Sequence, residues 1–186
     1  MKRIHIIIIA LFISLSAWSQ DRLNLGAGYF GHFITHPGIV VQAEREFAYG
    51  TKASLPMGVN LGFYAHPRNH YGLFMDLQTG FRYYTPSGIF LEEMVGVGIL
   101  QSFLHSDAVY TVSEEGEVGE GSRSYAPDFM PSVQLGLGYR FGDEEARRSM
   151  IWLRPKFYFQ LPHKGLTTYH LAVQLGYTYS IPWHRD

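Results

Sequence analysis

Histidine has the widest chemical range of the residue types in this sequence, because its imidazole binds transition metals and exchanges protons near neutral pH. The chain carries nine histidines and no cysteine, so a transition-metal site here would use imidazole and carboxylate ligands rather than thiolates. Two pairs are spaced four residues apart, His32 with His36 and His66 with His70. That spacing puts two ligands side by side on a helix, whereas the surrounding residues predict strand ends and turns.

Four side chains are the candidates for a metal site: His32, His66, His170 and Asp76. In the strands described below they fall on one face and towards one end, where neutral imidazoles and a carboxylate would suit Zn²⁺ or Cu²⁺. The alternative is a rim of polar side chains that hydrogen-bond to loop backbone. We expect this polar rim and not a metal site, because the histidines do not lie on a helix, where their spacing would place them as ligands of one ion. We therefore predict no cofactor.

The elements that must position these side chains are β-strands. Aromatic residues make up 16% of the chain, charged residues only 17%, and there are 20 glycines, a composition typical of an all-β protein. Hydrophobic residues recur at every second position, which is the period of a strand. Eight such segments follow residue 19, near 23–33, 39–49, 55–66, 71–84, 89–103, 133–141, 151–160 and 169–181.

The first 19 residues have the pattern of a secretory signal peptide. Lys2 and Arg3 give a positive start, residues 6–15 are almost entirely apolar, and Ala17 and Ser19 place small residues just before a cleavage site. The apolar run is shorter than the roughly 20 residues that a membrane-spanning helix needs. We predict a signal peptide over residues 1–19 and one outer-membrane β-barrel domain over residues 20–186.

Eight strands of this length predict a closed, antiparallel, up-and-down transmembrane β-barrel. A tilted strand crosses the hydrocarbon of a membrane with about 9–11 residues. The predicted connections at 50–54, 85–88 and 142–149 are compact turns, whereas the opposite end has the long segment 104–128. Short turns at one end and longer loops at the other are typical of barrels in bacterial outer membranes.

Alternation alone does not tell which face points outward, and the residues of the polar face decide this. That face is rich in glycine, which weakens a water-exposed strand but fits the narrow interior of an eight-stranded barrel. It also holds carboxylates and cations in equal number, which predict internal ion pairs: Glu44, Glu46, Asp76, Glu92, Arg82, Arg140, Arg154 and Lys156. Because a buried charge needs an opposite charge beside it, we expect these groups in the lumen and the apolar face against lipid.

The layout resembles the small eight-stranded outer-membrane β-barrels of the OmpA transmembrane-domain and OmpX kind. The resemblance covers the whole chain after the signal peptide and includes a last strand that ends in residues 175–181. Residues 182–186 follow where such chains often end on an aromatic residue. The resemblance implies a place in the outer membrane of a Gram-negative cell envelope. Members of this group serve as structural anchors, adhesins and lipid-modifying enzymes, so the fold does not by itself choose a function.

A lipid A-modifying enzyme, with a histidine at the external rim, is one alternative that the resemblance implies. A deacylase of this architecture uses a His-x-Ser pair, and a pair beginning at His170 would need serine where the sequence has Ala172, which lacks a nucleophilic atom. An acyltransferase-like set at His105, Ser106 and Asp107 is contiguous, so its side chains would point to different sides of a strand. We keep His170, His105 and Asp107 as candidate catalytic residues and expect a protein that is not an enzyme.

The long segment 104–128 is the candidate for contact with a partner. Residues 108–112 have strand character and residues 113–117 suit a turn, which predicts an exposed hairpin whose open edge accepts a partner strand. The segment is strongly acidic and has Arg123 as its single cation; its carboxylates are Asp107, Glu114, Glu115, Glu117, Glu120 and Asp128. We expect a mobile, solvated loop, which is usual for acidic tips rich in glycine and serine, and keep the hairpin as the alternative.

The function we predict is a non-enzymatic outer-membrane barrel with a structural or surface-interaction role and a lumen plugged by ion pairs. Its expected partners are outer-membrane lipid and a protein or surface ligand at the 104–128 segment. A net charge of −1 gives no basic surface for nucleic acid. A further alternative is a soluble, lipocalin-like periplasmic barrel, in which the apolar face would line a ligand pocket.

Overall fold

The computed structural model describes residues 22–33, 35–49, 52–67, 69–104, 110–113, 116–120, 126–142, 149–163 and 166–182. The signal peptide predicted for residues 1–19 lies outside these ranges. The described parts of the chain contain no helix that is long and apolar enough to cross a membrane. They form the strands β1 (Arg22–His32), β2 (His36–Tyr49), β3 (Ala53–His66), β4 (His70–Tyr84), β5 (Ile89–Leu104), β6 (Tyr110–Val112), β7 (Val118–Glu120), β8 (Asp128–Phe141), β9 (Ser149–His163) and β10 (Leu166–Pro182).

Eight of the described strands close into one barrel, which confirms the predicted fold class. Their order is β1-β10-β9-β8-β5-β4-β3-β2, and neighbouring strands are antiparallel. The first and last strands complete the ring, with Arg22 opposite Pro182 and His32 opposite Ala172. Closure pairs the edges that make open sheets prone to association. The barrel strands run from 11 to 17 residues, which is long enough to cross a membrane at a tilt.

The two ends of the barrel differ in their connections. The connection from β5 to β8 is the long one, and we call the end that carries it the long-loop end; this end also joins β1 to β2, β3 to β4 and β9 to β10 by short turns. The opposite end, which we call the short-turn end, joins β2 to β3, β4 to β5 and β8 to β9. The β4–β5 turn is closed by hydrogen bonds from Thr85 N to Ile89 O at 2.8 Å and from Gly88 N to Thr85 O at 3.0 Å. Gly88 has a φ of +93°, which favours glycine at this position.

The outward face of the barrel wall is apolar, as predicted. Leu77, Val97 and Leu135 expose 57%, 51% and 65% of their surface, and the residues that alternate with them point into the lumen. Exposed aromatic side chains near the short-turn end include Tyr83, Phe141, Tyr177 and Tyr179. An apolar surface that continues around the wall is suited to lipid and not to water. A soluble lipocalin-like barrel would carry this face inward, so the structure contradicts that alternative.

Glycines on the inward face leave room for large side chains in the lumen. A Cβ atom on Gly28 would lie 2.9 Å from the indole of Trp152, and one on Gly176 would overlap the same ring. Gly136 likewise leaves space for the side chain of Glu92. The glycines therefore permit bulky and charged groups to fill a barrel that has little interior space.

The connection between β5 and β8 carries a separate two-stranded sheet. In it, β6 pairs with β7 so that Tyr110 lies opposite Glu120. The turn between them is held by Ser113, whose N donates to Glu117 O at 2.9 Å and whose Oγ accepts from Glu117 N at 3.1 Å. Tyr110 and Val112 are 65% and 69% exposed. The hairpin that the sequence offers thus forms, as a small sheet of its own among the described residues.

Candidate functional site

The lumen near the short-turn end is filled by charged side chains centred on Arg82. This guanidinium is fully buried and contacts three carboxylates. Two parallel hydrogen bonds join it to Glu44, from Nη1 to Oε1 at 2.7 Å and from Nη2 to Oε2 at 2.9 Å. Further bonds run from Nε to Glu92 Oε2 at 2.7 Å and from Nη1 to Glu46 Oε2 at 3.2 Å. A guanidinium suits this position because it presents several N–H donors in one plane.

Arg154 supplies a second guanidinium to Glu92. It pairs with Glu92 through Nε and donates through Nη1 to Gln42 Oε1 at 2.6 Å. Gln42 in turn donates to Thr178 Oγ1 at 2.9 Å, and the same hydroxyl accepts from Trp152 Nε1 at 2.8 Å. Gln42 thereby links the charged side chains to the neutral polar residues of β10.

Arg140 adds a cation beside Glu46 at the short-turn end. Its Nη2 donates to the two carboxylate oxygens of Glu46 at 3.0 and 3.2 Å, and its guanidinium lies 3.8 Å from the centre of the Tyr84 ring. Tyr84 Oη donates to Glu46 Oε1 at 2.5 Å, and Asn24 Nδ2 donates to Glu44 and Glu46 at 3.0 and 3.1 Å. Tyr84 and Asn24 were not predicted from the sequence to belong to this network. Their inward positions in the alternating pattern are the feature that could have indicated it.

Lys156 and Asp76 form a separate ion pair nearer the middle of the barrel. Lys156 is 0% and Asp76 1% exposed, and Nζ of the lysine pairs with Oδ2 of the aspartate. Asp76 Oδ1 accepts a hydrogen bond from Asn60 Nδ2 at 2.6 Å, and the Lys156 ammonium lies 5.3 Å from the centre of the Phe74 ring. The two charged residues come from β4 and β9, which are not neighbours, so the pair spans the lumen.

The structure places all eight charged residues that the sequence singled out in the lumen, and it sets each beside an opposite charge. Removing one partner from such a pair typically costs about 3–5 kcal/mol, because the other charge stays buried without compensation. The stability of this network therefore depends on its members being present together.

An apolar layer lies between this charged network and the long-loop end. Phe30 packs against Phe74 and Tyr64, with ring centres 4.8 and 5.9 Å apart. All three side chains are at most 2% exposed. They belong to a cluster that includes Val40 and Leu100. Since an eight-stranded barrel has room inside only for side chains, these rings occupy much of its cross-section.

Among the described side chains, five imidazoles from β1, β2, β3, β4 and β10 line the long-loop end of the lumen, and we call them the histidine rim: His32, His36, His66, His70 and His170. The ring centre of His32 lies 4.9 Å from that of His170 and 5.4 Å from that of His36. The rings of His36 and His66 are stacked at 3.9 Å, and those of His66 and His70 at 5.5 Å. The rim is thus a continuous row of imidazole contacts.

The ring nitrogens of the rim are only partly hydrogen-bonded. His32 Nε2 lies 2.9 Å from His170 Nδ1, and His36 Nδ1 lies 3.1 Å from the carbonyl oxygen of His32. The Nδ1 atoms of His32 and His66 are buried and have no hydrogen-bond partner among the described residues. Buried polar atoms are almost always hydrogen-bonded, and these two ring nitrogens are among nine buried side-chain atoms of the described residues that have no partner.

The backbone beside the rim is strained at Phe33. Its φ is +46°, in the left-handed region that bulky side chains rarely adopt. Phe33 N donates to Leu171 O at 2.7 Å, and Thr35 N donates to Phe33 O at 2.7 Å, so the β1–β2 turn holds this conformation. The Phe33 ring lies 4.6 Å from the ring of His32. The turn therefore helps to fix the position of His32.

A series of hydrogen bonds connects the rim to buried polar side chains of β9, β8 and β5 that were not predicted from the sequence to form a site. His170 Nε2 lies 3.2 Å from Gln160 Oε1, and Gln160 Nε2 contacts Asp128 Oδ2 at 2.5 Å and Ser102 Oγ at 3.3 Å. Asp128, predicted to belong to the solvated acidic segment, is the first residue of β8 and is 4% exposed. It is buried because it continues the inward alternation of that strand.

The four candidate metal ligands are not brought together. Asp76 lies six residues along β4 from His70, about 20 Å in an extended strand, and is bound to Lys156. The structure therefore groups His32, His66 and His170 without it. As they stand, no three His, Asp or Glu side chains in the described parts of the chain are arranged to hold a metal ion.

The described residues do not place a nucleophile and an acid beside the candidate catalytic residue His170. The Nε2 atom of His170 lies 3.2 Å from both Gln160 Oε1 and Thr168 Oγ1, and its Nδ1 faces His32. Ala172, two residues on, is fully buried in the lumen. His105 and Asp107 lie outside the described residues.

This chain is similar in fold to several solved structures. No family profile and no curated protein matches it. Neisserial surface protein A matches with a TM-score of 0.54 at 6% identity, over 89% of this chain and 98% of that one. The N-terminal β-barrel domain of Pseudomonas aeruginosa OprF matches with a TM-score of 0.50 at 13% identity, over 87% of this chain and 98% of that one. At these identities the likeness concerns the fold.

Both neighbours are small outer-membrane barrels, so the resemblance inferred from the sequence is confirmed at the level of the fold. The apolar outward face of the barrel agrees with the predicted place in an outer membrane. The chain has the fold of the small, eight-stranded, antiparallel outer-membrane β-barrels.

Proposed function

We propose that this chain is a non-enzymatic β-barrel of the outer membrane, with a structural or surface-interaction role and a lumen closed to solutes. The observation that carries the proposal is the packing of the lumen, where paired charges fill one part and the Phe30, Tyr64 and Phe74 rings fill the next. A channel would need a continuous polar path, and eight strands leave no room for one beside these side chains.

Membrane fractionation tests the location. We expect the protein to stay with the outer membrane after washing with carbonate or high salt, and to require detergent for release. Its unheated and heated forms should migrate differently on a gel, because a closed barrel resists unfolding until it is heated. Release without detergent would contradict the proposal.

Conductance across planar bilayers tests the closed lumen. Refolded protein, first checked by its heat-modifiable migration, should give no ion current above that of the bare bilayer. A wide, multi-stranded porin in the same bilayers should give stepwise currents. Stable channels from the wild-type barrel would contradict a closed lumen.

The β6–β7 hairpin is the surface to which we assign an interaction. Tyr110, Val112 and Val118 are each at least 65% exposed, and a two-stranded sheet leaves backbone groups unpaired along its outer edges. Glu117 and Glu120 give this surface a negative charge. Exposed edges, apolar side chains and carboxylates together favour an extended, basic segment of another protein.

A peptide of alternating lysine and valine is a suitable probe of this surface. We expect saturable binding to the folded barrel, measured by fluorescence anisotropy, and a loss of at least tenfold in affinity when residues 105–127 are replaced by a short glycine–serine linker. The replacement should leave the heat-modifiable migration unchanged, because the barrel strands lie outside it. Equal binding by both proteins would contradict the assignment to the hairpin.

A further inference from the structure

We propose that the histidine rim binds one divalent transition-metal ion, Zn²⁺ or Cu²⁺, through His32 Nδ1, His36 Nε2 and His66 Nδ1. The site would be a three-imidazole site with an open position for water, a ligand set that both ions accept. This inference goes beyond the proposed structural role and does not depend on it.

The unpartnered nitrogens are the first observation that points to a ligand. His32 is 2% exposed, yet its Nδ1 has no hydrogen-bond partner among the described residues, and the same holds for Nδ1 of His66. A buried nitrogen lone pair or N–H without a partner is costly, and a metal ion bonded to the nitrogen would remove that cost. The two atoms belong to neighbouring parts of one row of rings, joined through His36.

The hydrogen bonds of the rim leave the proposed ligand atoms available. His32 Nε2 is held by His170 Nδ1 at 2.9 Å, which leaves Nδ1 of His32 as the coordinating atom. His36 Nδ1 lies 3.1 Å from the carbonyl oxygen of His32, which leaves Nε2 of His36. Metal-binding histidines commonly use one nitrogen for the ion and donate the other to a carbonyl or a neighbouring side chain.

The ring spacing fits a shared ion after small rotations. Two imidazoles on one tetrahedral ion, with metal–nitrogen distances of about 2.0–2.1 Å, have ring centres about 5 Å apart. The His32–His36 centres are 5.4 Å apart, whereas His36 and His66 are stacked face to face at 3.9 Å. No described trio forms a complete site as it stands, so binding would require the half-buried His36 and His66 rings to turn out of that stack and present their nitrogens to the ion.

A buried carboxylate is connected to the rim through hydrogen bonds. His170, which holds His32, contacts Gln160 at 3.2 Å, and Gln160 contacts Asp128 at 2.5 Å. Asp128 is the first residue of β8, at the rim end of that strand. The proposed ligand His32 is therefore held by a chain of hydrogen bonds that ends at a carboxylate, an outer-shell arrangement typical of metal-binding histidines.

Calorimetric titration of the folded protein, expressed without a histidine tag, tests the site with Zn²⁺ alone. We expect binding of one ion with an affinity in the low micromolar range or tighter. The double variant His36→Ala/His66→Ala removes two ligands but leaves the buried His32 in place, so it should still fold. Its affinity should fall by more than the roughly 10–100-fold typical of an outer-shell change.

His184→Ala is the matched control, because this histidine follows the last barrel strand and the sequence assigns it to the opposite end. It should bind Zn²⁺ as the wild type does. Electron paramagnetic resonance of the Cu²⁺ form should show coupling to several imidazole nitrogens in the wild type and in the control, and a weaker coupling in the double variant. Absence of saturable binding, or equal affinity in the double variant and the wild type, would overturn the proposal. Heat-modifiable migration checks that each variant is folded.

Discussion

The charged network and the histidine rim lie in the same lumen, but their most buried members, Arg82 and His32, differ in how fully they are hydrogen-bonded, although Arg140 Nε in the network also has no partner in the described structure. Arg82, fully buried, has carboxylates on three sides and uses Nε, Nη1 and Nη2 as donors. His32, almost as buried, has one ring nitrogen bound and the other without a partner in the described structure. The contrast suggests that the charged network maintains the fold, whereas the rim is available for binding.

Arg82→Met should have the largest effect, because it removes the cation that Glu44, Glu46 and Glu92 share and leaves their buried negative charges only partly compensated. We expect a loss of about 3–5 kcal/mol in the free energy of unfolding, measured by denaturant titration of the refolded barrel. Arg45→Met is the matched control, since Arg45 lies on the outward face of β2. If both substitutions cost the same, the charged network does not maintain the fold.

Leu77→Arg should come next, because it places a charge at the middle of β4 on the apolar wall. A cation at this depth of a membrane barrel costs about 2–4 kcal/mol. Val112→Arg, on the exposed hairpin, should change the unfolding free energy by less than about 0.5 kcal/mol. Unfolding of both variants in lipid vesicles gives the comparison, and a negligible cost at position 77 would mean that this face does not contact lipid.

Gly176→Ala tests the packing of the lumen around Trp152. The added methyl group would overlap the indole, so we expect a loss of about 1–3 kcal/mol in unfolding free energy. Adding Trp152→Leu to the same chain should make the alanine less costly than it is beside tryptophan. If the cost of the alanine is independent of the residue at position 152, the close approach does not explain the glycine.

His66→Ala should have the smallest effect, because the side chain is only half-buried and its Nδ1 has no partner to lose in the described structure. In metal-free buffer the free energy of unfolding should change by about 0.5 kcal/mol or less. A loss as large as that expected for Arg82→Met would show that the rim, too, maintains the fold.

The alternation of residue types was sufficient to predict the strands and their inward faces. Asp76, Arg82 and Lys156 occupy positions whose neighbours are apolar, and a period of two sends them to the opposite side of the wall. The glycines beside them then indicated which side was the crowded one. This part of the fold was predictable because the information is local, within one strand.

The partners inside the lumen were not predictable, because they depend on how the strands are staggered around the barrel. Lys156 meets Asp76 from a strand that is not its neighbour, and no spacing in the sequence records that contact. Asp128 was assigned to a solvated loop because acidic residues precede it, whereas the register of β8 buries it beside Gln160. Such errors arise at the first residues of a strand, where the residue types still resemble those of the preceding loop although the strand has already begun.

The orientation of the wall is the central claim, and spin labels test it directly. The chain has no cysteine, so Leu77→Cys and Val112→Cys each give a single labelling site. In lipid vesicles, a label at position 77 should be relaxed by oxygen dissolved in the bilayer and protected from a water-soluble nickel chelate, and a label at position 112 should respond in the opposite way. A label at position 77 that the nickel chelate reaches as readily as the one at position 112 would contradict the account.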